Sequence, residues 1–241
     1  MRVAVITPFH SESTEWLEQC HASVMGQSIP CTHIMIGDAS NVRPPSTALH
    51  IPLPKNVGDY GDTPRCIGSF YAAGLGYDVV MYLDGDNWFH PSHVETILSA
   101  RDKTSASIVT SRRILVRLDG SPMAECLGSD GQQFCDTNCL AVFRPAFSVF
   151  AVWSLMHPSL HPIDDRVIWK FILDSKFDRA DTGVPTVYYR ATHASFYRDL
   201  KEEAPPGVKK STSIAMAVAQ WRSMGHELPI KWAYRRLSSG S

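Results

Sequence analysis

Residues 79–87, Val-Val-Met-Tyr-Leu-Asp-Gly-Asp-Asn, constrain the fold of this chain more than any other segment. The first five are apolar on both alternating faces, so a strand built from them has to be covered on each side. Helices above and below a largely parallel sheet provide that cover. The two aspartates then fall at the carboxyl end of the strand, where open α/β sheets bind their ligands.

The first half of the chain repeats this strand-helix rhythm. Val3 to Ile6 is a short apolar run leading into Thr7-Pro8, a buried strand feeding a loop. Ser13 can cap a helix with Glu15 and Glu18 in its first turns, on which Trp16, Cys20 and Val24 recur at helical spacing. Ile34-Met35-Ile36, closed by Gly37-Asp38, is a second strand, and residues 50–53 are a weaker third. Thr63-Pro64 opens a helix bearing Ile67, Phe70, Tyr71 and Gly74. Pro91 starts another, with Val94, Ile97 and Leu98 toward the core. The alternation predicts an α/β fold with a mostly parallel central sheet and helices on both faces.

The second half is less regular. Residues 108–118 read as extended, ending in the Asp119-Gly120 turn, and residues 140–143 as a short strand followed by Pro145. Val167, Ile168, Phe171 and Ile172 mark an amphipathic helix, residues 184–190 a strand, and Ile214, Val218 and Trp221 a late helix. Ala204-Pro205-Pro206-Gly207 has the composition of a loop. With neither a repeat nor a linker, the 241 residues read as one domain.

A net charge of -1 with scattered Lys and Arg gives no footprint for nucleic acid. The N-terminal apolar run is too short for a signal-peptide core, and no stretch is long enough to span a bilayer. Six cysteines without a CxxC pair fit a reducing compartment. A cytoplasmic protein is expected, one that can still sit at a membrane surface.

Asp84 and Asp86 can divide the work of a nucleotide site. One carboxylate can hold a divalent cation while the other bonds a ribose hydroxyl or a metal-bound water. Hard oxygen ligands of this kind suit Mg²⁺ or Mn²⁺, which keep substrate phosphates as further ligands. A polar turn after a strand is the plain alternative. A calcium loop starting at Asp84 fails, because Phe89 stands where glycine is required. Gly207 to Thr212 ends like a phosphate-binding loop but lacks the leading glycine. His90 and His93 bracket a helix start and read as surface residues, and Cys135 and Cys139 as buried thiols. Trp153, Trp169, Trp221 and Trp232 read as core or as a platform for an acceptor.

Five elements in order resemble the family 2 glycosyltransferases of the GT-A fold. They are Thr7-Pro8-Phe9-His10, Gly37-Asp38-Ala39-Ser40, Asn56-Val57-Gly58 with Arg65, Asp84-Gly85-Asp86 with Pro91, and the pair Asp164-Asp165. Together they cover roughly residues 3 to 170. The resemblance implies a donor-binding part over about 1–100 and an acceptor part over about 101–241. It implies a nucleotide-diphosphate sugar donor (uridine diphosphate by default), a divalent metal, and inversion at the anomeric carbon. The acceptor would be a hydroxyl of a glycan, lipid or protein.

Carried over by position, Thr7 and Pro8 would line the base pocket, Asp38 would accept from a uracil-type N–H, and Arg65 would lie near the base or diphosphate. Asp86, with Asp84, would hold the metal, and His193 is a further candidate ligand. Asp165 would be the general base, with Asp164 chiefly structural at the helix start, where the dipole favours the carboxylate form. The family's usual pair is Glu-Asp, so Asp-Asp leaves open which carboxylate reaches the acceptor. Asp136, Thr137 and Asn138 fall where acceptor contacts are common. Two other classes stay open: a sugar nucleotidyltransferase, disfavoured because residues 7–12 lack a glycine or a Lys or Arg, and a catalytically silent binding protein.

Overall fold

A computed structural model describes residues 1–210, 212–226 and 234–237. Its first half contains β1 (Val3–Phe9), α1 (Thr14–Met25), β2 (Cys31–Asp38), β3 (Leu49–Leu53), α2 (Asp62–Gly74) and β4 (Val79–Tyr82). The four strands run parallel in the order β3-β2-β1-β4, and every residue of β1 and β4 is buried. Successive residues of β1 show how. Thr7 meets Cys20 of α1, whereas Ile6 lies under Gly68 of α2, so the two helices cover opposite faces.

The remainder comprises β5 (Trp88–Phe89), α3 (His93–Thr104), β6 (Ile108–Val116), β7 (Pro122–Cys126), β8 (Leu140–Phe143), α4 (Phe150–Leu155), α5 (Asp164–Asp174), β9 (Arg179–Arg190), α6 (Ala194–Asp199), α7 (Thr212–Ser223) and β10 (Tyr234–Arg236). The sheet continues past β4 with β8, β6, β7 and β10, each antiparallel to its neighbour in that order. β9 pairs parallel with β6 and antiparallel with β5. The register of β6 against β9 shifts between Thr110 and Arg113. This irregular half carries the acidic helix start at Asp164 back toward the end of β4. No helix among the described residues is long and apolar enough to cross a membrane.

Two sequence expectations change, at His93 and at the strand over residues 184–190, and the face that α2 buries is now defined. The buried face of α2 is Arg65, Gly68, Ser69 and Ala72, while Phe70 and Tyr71 are exposed. Small residues win because α2 lies close on the sheet. His93 is interior, its ring stacked on Phe89 and its Nδ1 2.7 Å from Thr186 Oγ1, and burial drives its pKa down to about 3. The strand expected at 184–190 starts earlier, at Arg179. Trp153, Trp169 and Trp221 are core residues, and Trp232 lies outside the described residues.

Gly68 gives a test of the packing. A Cβ there would stand 2.6 Å from Ile6 Cγ2 and 2.7 Å from Ile36 Cδ1, both in the buried core. Overpacking of this kind costs about 1–3 kcal/mol, against about 1 kcal/mol gained in helix propensity. Gly68→Ala is therefore expected to lower the urea midpoint with an unchanged slope. An equal or higher midpoint would mean that α2 does not press on the sheet as described.

Candidate functional site

Two clefts meet over the carboxyl ends of β1, β2 and β4. The smaller, about 430 Å³, is lined by Pro8, His10, Glu12, Asp38, Asn56 and Asp86 among others. The larger, about 660 Å³, is lined by Arg113, Asp136, His161, Asp164, Asp165 and Lys210 among others. Tyr60, Arg65, Asp84, Tyr189 and His193 border both.

Arg65, on the first turns of α2, is 5 % exposed and forms the partition. Its Nη2 donates to Asp84 Oδ1 at 2.6 Å, and its Nη1 to Asp164 Oδ2 at 3.0 Å and to the Tyr60 carbonyl at 3.0 Å. Asp62 Oδ1 is 3.7 Å away. Asp62 is wholly buried, and His161 Nδ1 stands 2.5 Å from its other oxygen. Burial first, against the Arg65 charge, raises Asp62 to about 7. Tyr60 holds a left-handed φ of 60°, unusual for a tyrosine, and residues in such conformations cluster at functional sites.

Asp84 is fixed from the other side by Asn138. Its backbone N–H donates to Asn138 Oδ1 at 2.6 Å, and Asn138 Nδ2 donates to Asp84 Oδ2 at 2.9 Å. Asn138 is held in turn by Asp136 Oδ1 at 2.8 Å, and Asp136 forms a buried ion pair with Arg113. Both carboxylate oxygens of Asp84 are thus engaged. Each oxygen keeps a further lone pair, and the Asp84 side chain is 28% exposed, so both Asp84 and Asp86 border the smaller cleft as oxygen donors.

Asp86 suits the expected metal role electrostatically. Burial, then the charges of Asp84 and Glu12, push its pKa up to about 7, with Lys209 and Arg190 opposing. A carboxylate under that repulsion gains from a nearby cation. Among the described residues no group of three or more His, Cys, Asp and Glu side chains is placed to hold a metal. Arg190 steadies the turn: its Nε donates to the Asp86 carbonyl at 3.0 Å and its N–H to Asn87 Oδ1 at 2.8 Å. Gly85 is required by close approach, since a Cβ would lie 2.8 Å from Leu17 Cδ2.

The acidic pair divides as its bonds dictate. Asp164 accepts from Arg65 through Oδ2 and from the Asp165 N–H through Oδ1 at 2.7 Å, so it is tied into the partition. Burial and then Asp62 hold its pKa well above the usual range despite Arg65. Asp165 lines the larger cleft, and its Oδ1 accepts from the Arg166 N–H at 2.7 Å. Burial raises its pKa to about 7; Arg166 opposes, while Asp164 and Asp136 add to the rise. The helix start was expected to favour the carboxylate, but desolvation and like charges outweigh it.

Pro8 and Asp38 line the smaller cleft, as does His193. Thr7 does not: it is fully buried, with its hydroxyl 2.7 Å from His33 Nε2 beneath α1. A residue next to a cleft-lining proline in a strand points to the opposite face. Asp38 Oδ1 accepts from the Val57 N–H at 2.9 Å, joining the end of β2 to the loop after β3. Asn138, placed among the expected acceptor contacts, braces Asp84, whereas Glu12, Arg113, His161 and Lys209 line the clefts without having been given a role from sequence. Arg113 carried a usable signal, a charge inside an apolar strand; the others had none.

No family model and no curated protein sequence matches this chain. Solved structures do. The chain superposes on residues 1–349 of S. aureus TarS in complex with UDP at a TM-score of 0.60 and 12% identity, covering 94% of this chain and 73% of that one. Against the same fragment in complex with UDP-GlcNAc the TM-score is 0.61 at 14% identity, covering 79% and 58%. Against a longer TarS structure it is 0.60 at 15% identity, covering 82% of this chain and 38% of that one. At such identities the likeness is one of fold, and the chain shares the GT-A-like α/β fold.

Proposed function

We propose that this chain is a family 2 type glycosyltransferase, taking a nucleotide-diphosphate sugar in the smaller cleft and an acceptor hydroxyl in the larger. The observation that carries this reading is the meeting of the two clefts at Arg65 and Asp84, with Asp86 on one side and Asp165 on the other. UDP is the expected nucleotide, supported by the complexes of TarS with UDP and UDP-GlcNAc.

The acceptor hydroxyl gives its proton to Asp165, and its oxygen bonds to the anomeric carbon of the donor. The bond from that carbon to the β-phosphate oxygen breaks, and its electron pair leaves with the nucleoside diphosphate. One displacement of this kind inverts the anomeric configuration. Mn²⁺ or Mg²⁺, held through Asp86 with His193 as a second candidate ligand, would offset charge on the departing diphosphate. Arg65 and Asn138 keep Asp84 in place, and Asp38 accepts from the base. A base with a pKa near neutrality is well matched to its task, because a good part of it is ionised and the proton it takes is still held usefully.

Donor binding is tested by calorimetry with UDP, GDP, CDP and ADP, each with and without Mn²⁺. One diphosphate is expected to bind much more tightly than the rest and to need the cation, and Asp86→Ala to lose the Mn²⁺ dependence. Equal weak binding of all four would sink the donor reading.

The base is tested once an acceptor is found. Asp165→Asn should keep UDP affinity near wild type while transfer falls by roughly 10²–10⁴-fold. The wild-type rate should drop about tenfold per unit below pH 7 and level above it, since only the unprotonated Asp165 accepts a proton. A pH-independent rate, or an active Asp165→Asn, would place the base elsewhere. Asp164→Asn acts on another quantity: it weakens a partner of buried Arg65 and should cost about 3–5 kcal/mol of stability if the pair is lost outright.

A further inference from the structure

The segment from Lys201 to Lys210, between α6 and α7, contains the two lysines whose context only superficially suggests a phosphate loop. In the fold it becomes a strap across the junction of the clefts. Lys209 N–H donates to the Thr192 carbonyl at 2.7 Å, and Ala194 N–H to the Lys209 carbonyl at 3.1 Å. These bonds form a single parallel bridge between Lys209 and His193. Val208 anchors the strap from below, packing against the cluster that contains Leu115, Tyr197 and Leu200.

The consequence is a division of the two charges. Consecutive residues of an extended segment point to opposite sides. Lys209 lines the smaller cleft beside Asp86 and His193, whereas Lys210 lines the larger one. Lys209 is exposed, its charge is felt by Asp86, and among the described residues no ion pair occupies its ammonium group. An ammonium with three rotatable donors, held by backbone bonds rather than by a carboxylate, is suited to a phosphate oxygen.

We propose that Lys209 is the fixed cation of the donor cleft and donates from Nζ to the β-phosphate of the bound nucleotide-sugar. The proposal rests on the donor reading above. When the bond between the anomeric carbon and the β-phosphate oxygen breaks, the electron pair and the added negative charge go to the diphosphate, and Lys209 offsets that charge from the strap side. No proton need be transferred by Lys209 in this step. Because its backbone makes the bridge, removing the side chain leaves the strap in place.

The test is calorimetric titration of UDP and of UMP, in Mn²⁺, into the wild-type chain and the variants Lys209→Ala, Lys209→Arg and Lys210→Ala. Losing one charge-assisted bond should weaken UDP by roughly 10- to 100-fold in Lys209→Ala while UMP affinity changes little. Lys209→Arg should recover much of the loss, and Lys210→Ala should bind UDP as wild type does. Unchanged UDP affinity in Lys209→Ala overturns the proposal. So does an equal loss for UMP and UDP, which would mark a strap whose side chain serves structure alone. If the wild-type chain binds neither nucleotide, the donor reading itself has failed and the lysine assignment falls with it.

Discussion

The site depends on one buried guanidinium. Arg65 is nearly inaccessible to water, and a charge in that position is costly unless it is paired; both its Nη groups are bonded, although its Nε has no hydrogen-bond partner. Its partners come from three separate places: Asp84 at the end of β4, Asp164 at the start of α5, and the Tyr60 carbonyl before α2. Bonding Arg65 in this way fixes the distance between the strand end that borders the smaller cleft and the helix start that borders the larger one. Asn138 and Asp136 extend the same network to Arg113 on β6, so the second half of the chain is braced against the first by hydrogen bonds.

Around this centre, negative charge is held at a cost. Asp62, Asp86 and Asp165 all have pKa values raised to about 7, and burial is the first cause in each. The three differ in what could relieve them. Asp62 has Arg65 and His161; Asp86 faces the open smaller cleft with Lys209 nearby; Asp165 faces the larger cleft with Arg166 as its main opposing charge. Relief for the last two comes from what the clefts admit, a cation or a proton. Groups poised in this way in a cleft are where chemistry is expected.

Much of the first half of the chain was legible in the sequence because its signals are local. The apolar run 79–83, the Ser13 cap and the helix face of Val94, Ile97 and Leu98 each read correctly, since strand burial and helix spacing need no distant partner. Asp84 and Asp86 stand out because the end of a buried strand is a recognisable position, whereas Asp165 is singled out only by the resemblance. The buried face of α2 was not read from the sequence: the aromatic Phe70 and Tyr71 are exposed, whereas Gly68 is buried for its smallness. Thr7 misled because a residue's neighbourhood in a motif does not say which face of the strand it takes.

The sequence by itself determined an α/β chain with helices on both faces of a central sheet and a pair of aspartates at the end of its most buried strand. Periodicity and turn chemistry are written in consecutive residues, so they can be read without a fold. Only the tertiary structure decided what those carboxylates are bonded to. It assigned Asp84 to Arg65 and Asn138, left Asp86 beside Lys209, and tied Asp164 into the partition while Asp165 faced the larger cleft. Those pairings join residues 19 to about 120 positions apart, and burial and like charge set the proton affinities there, quantities that exist only once the chain has closed on itself.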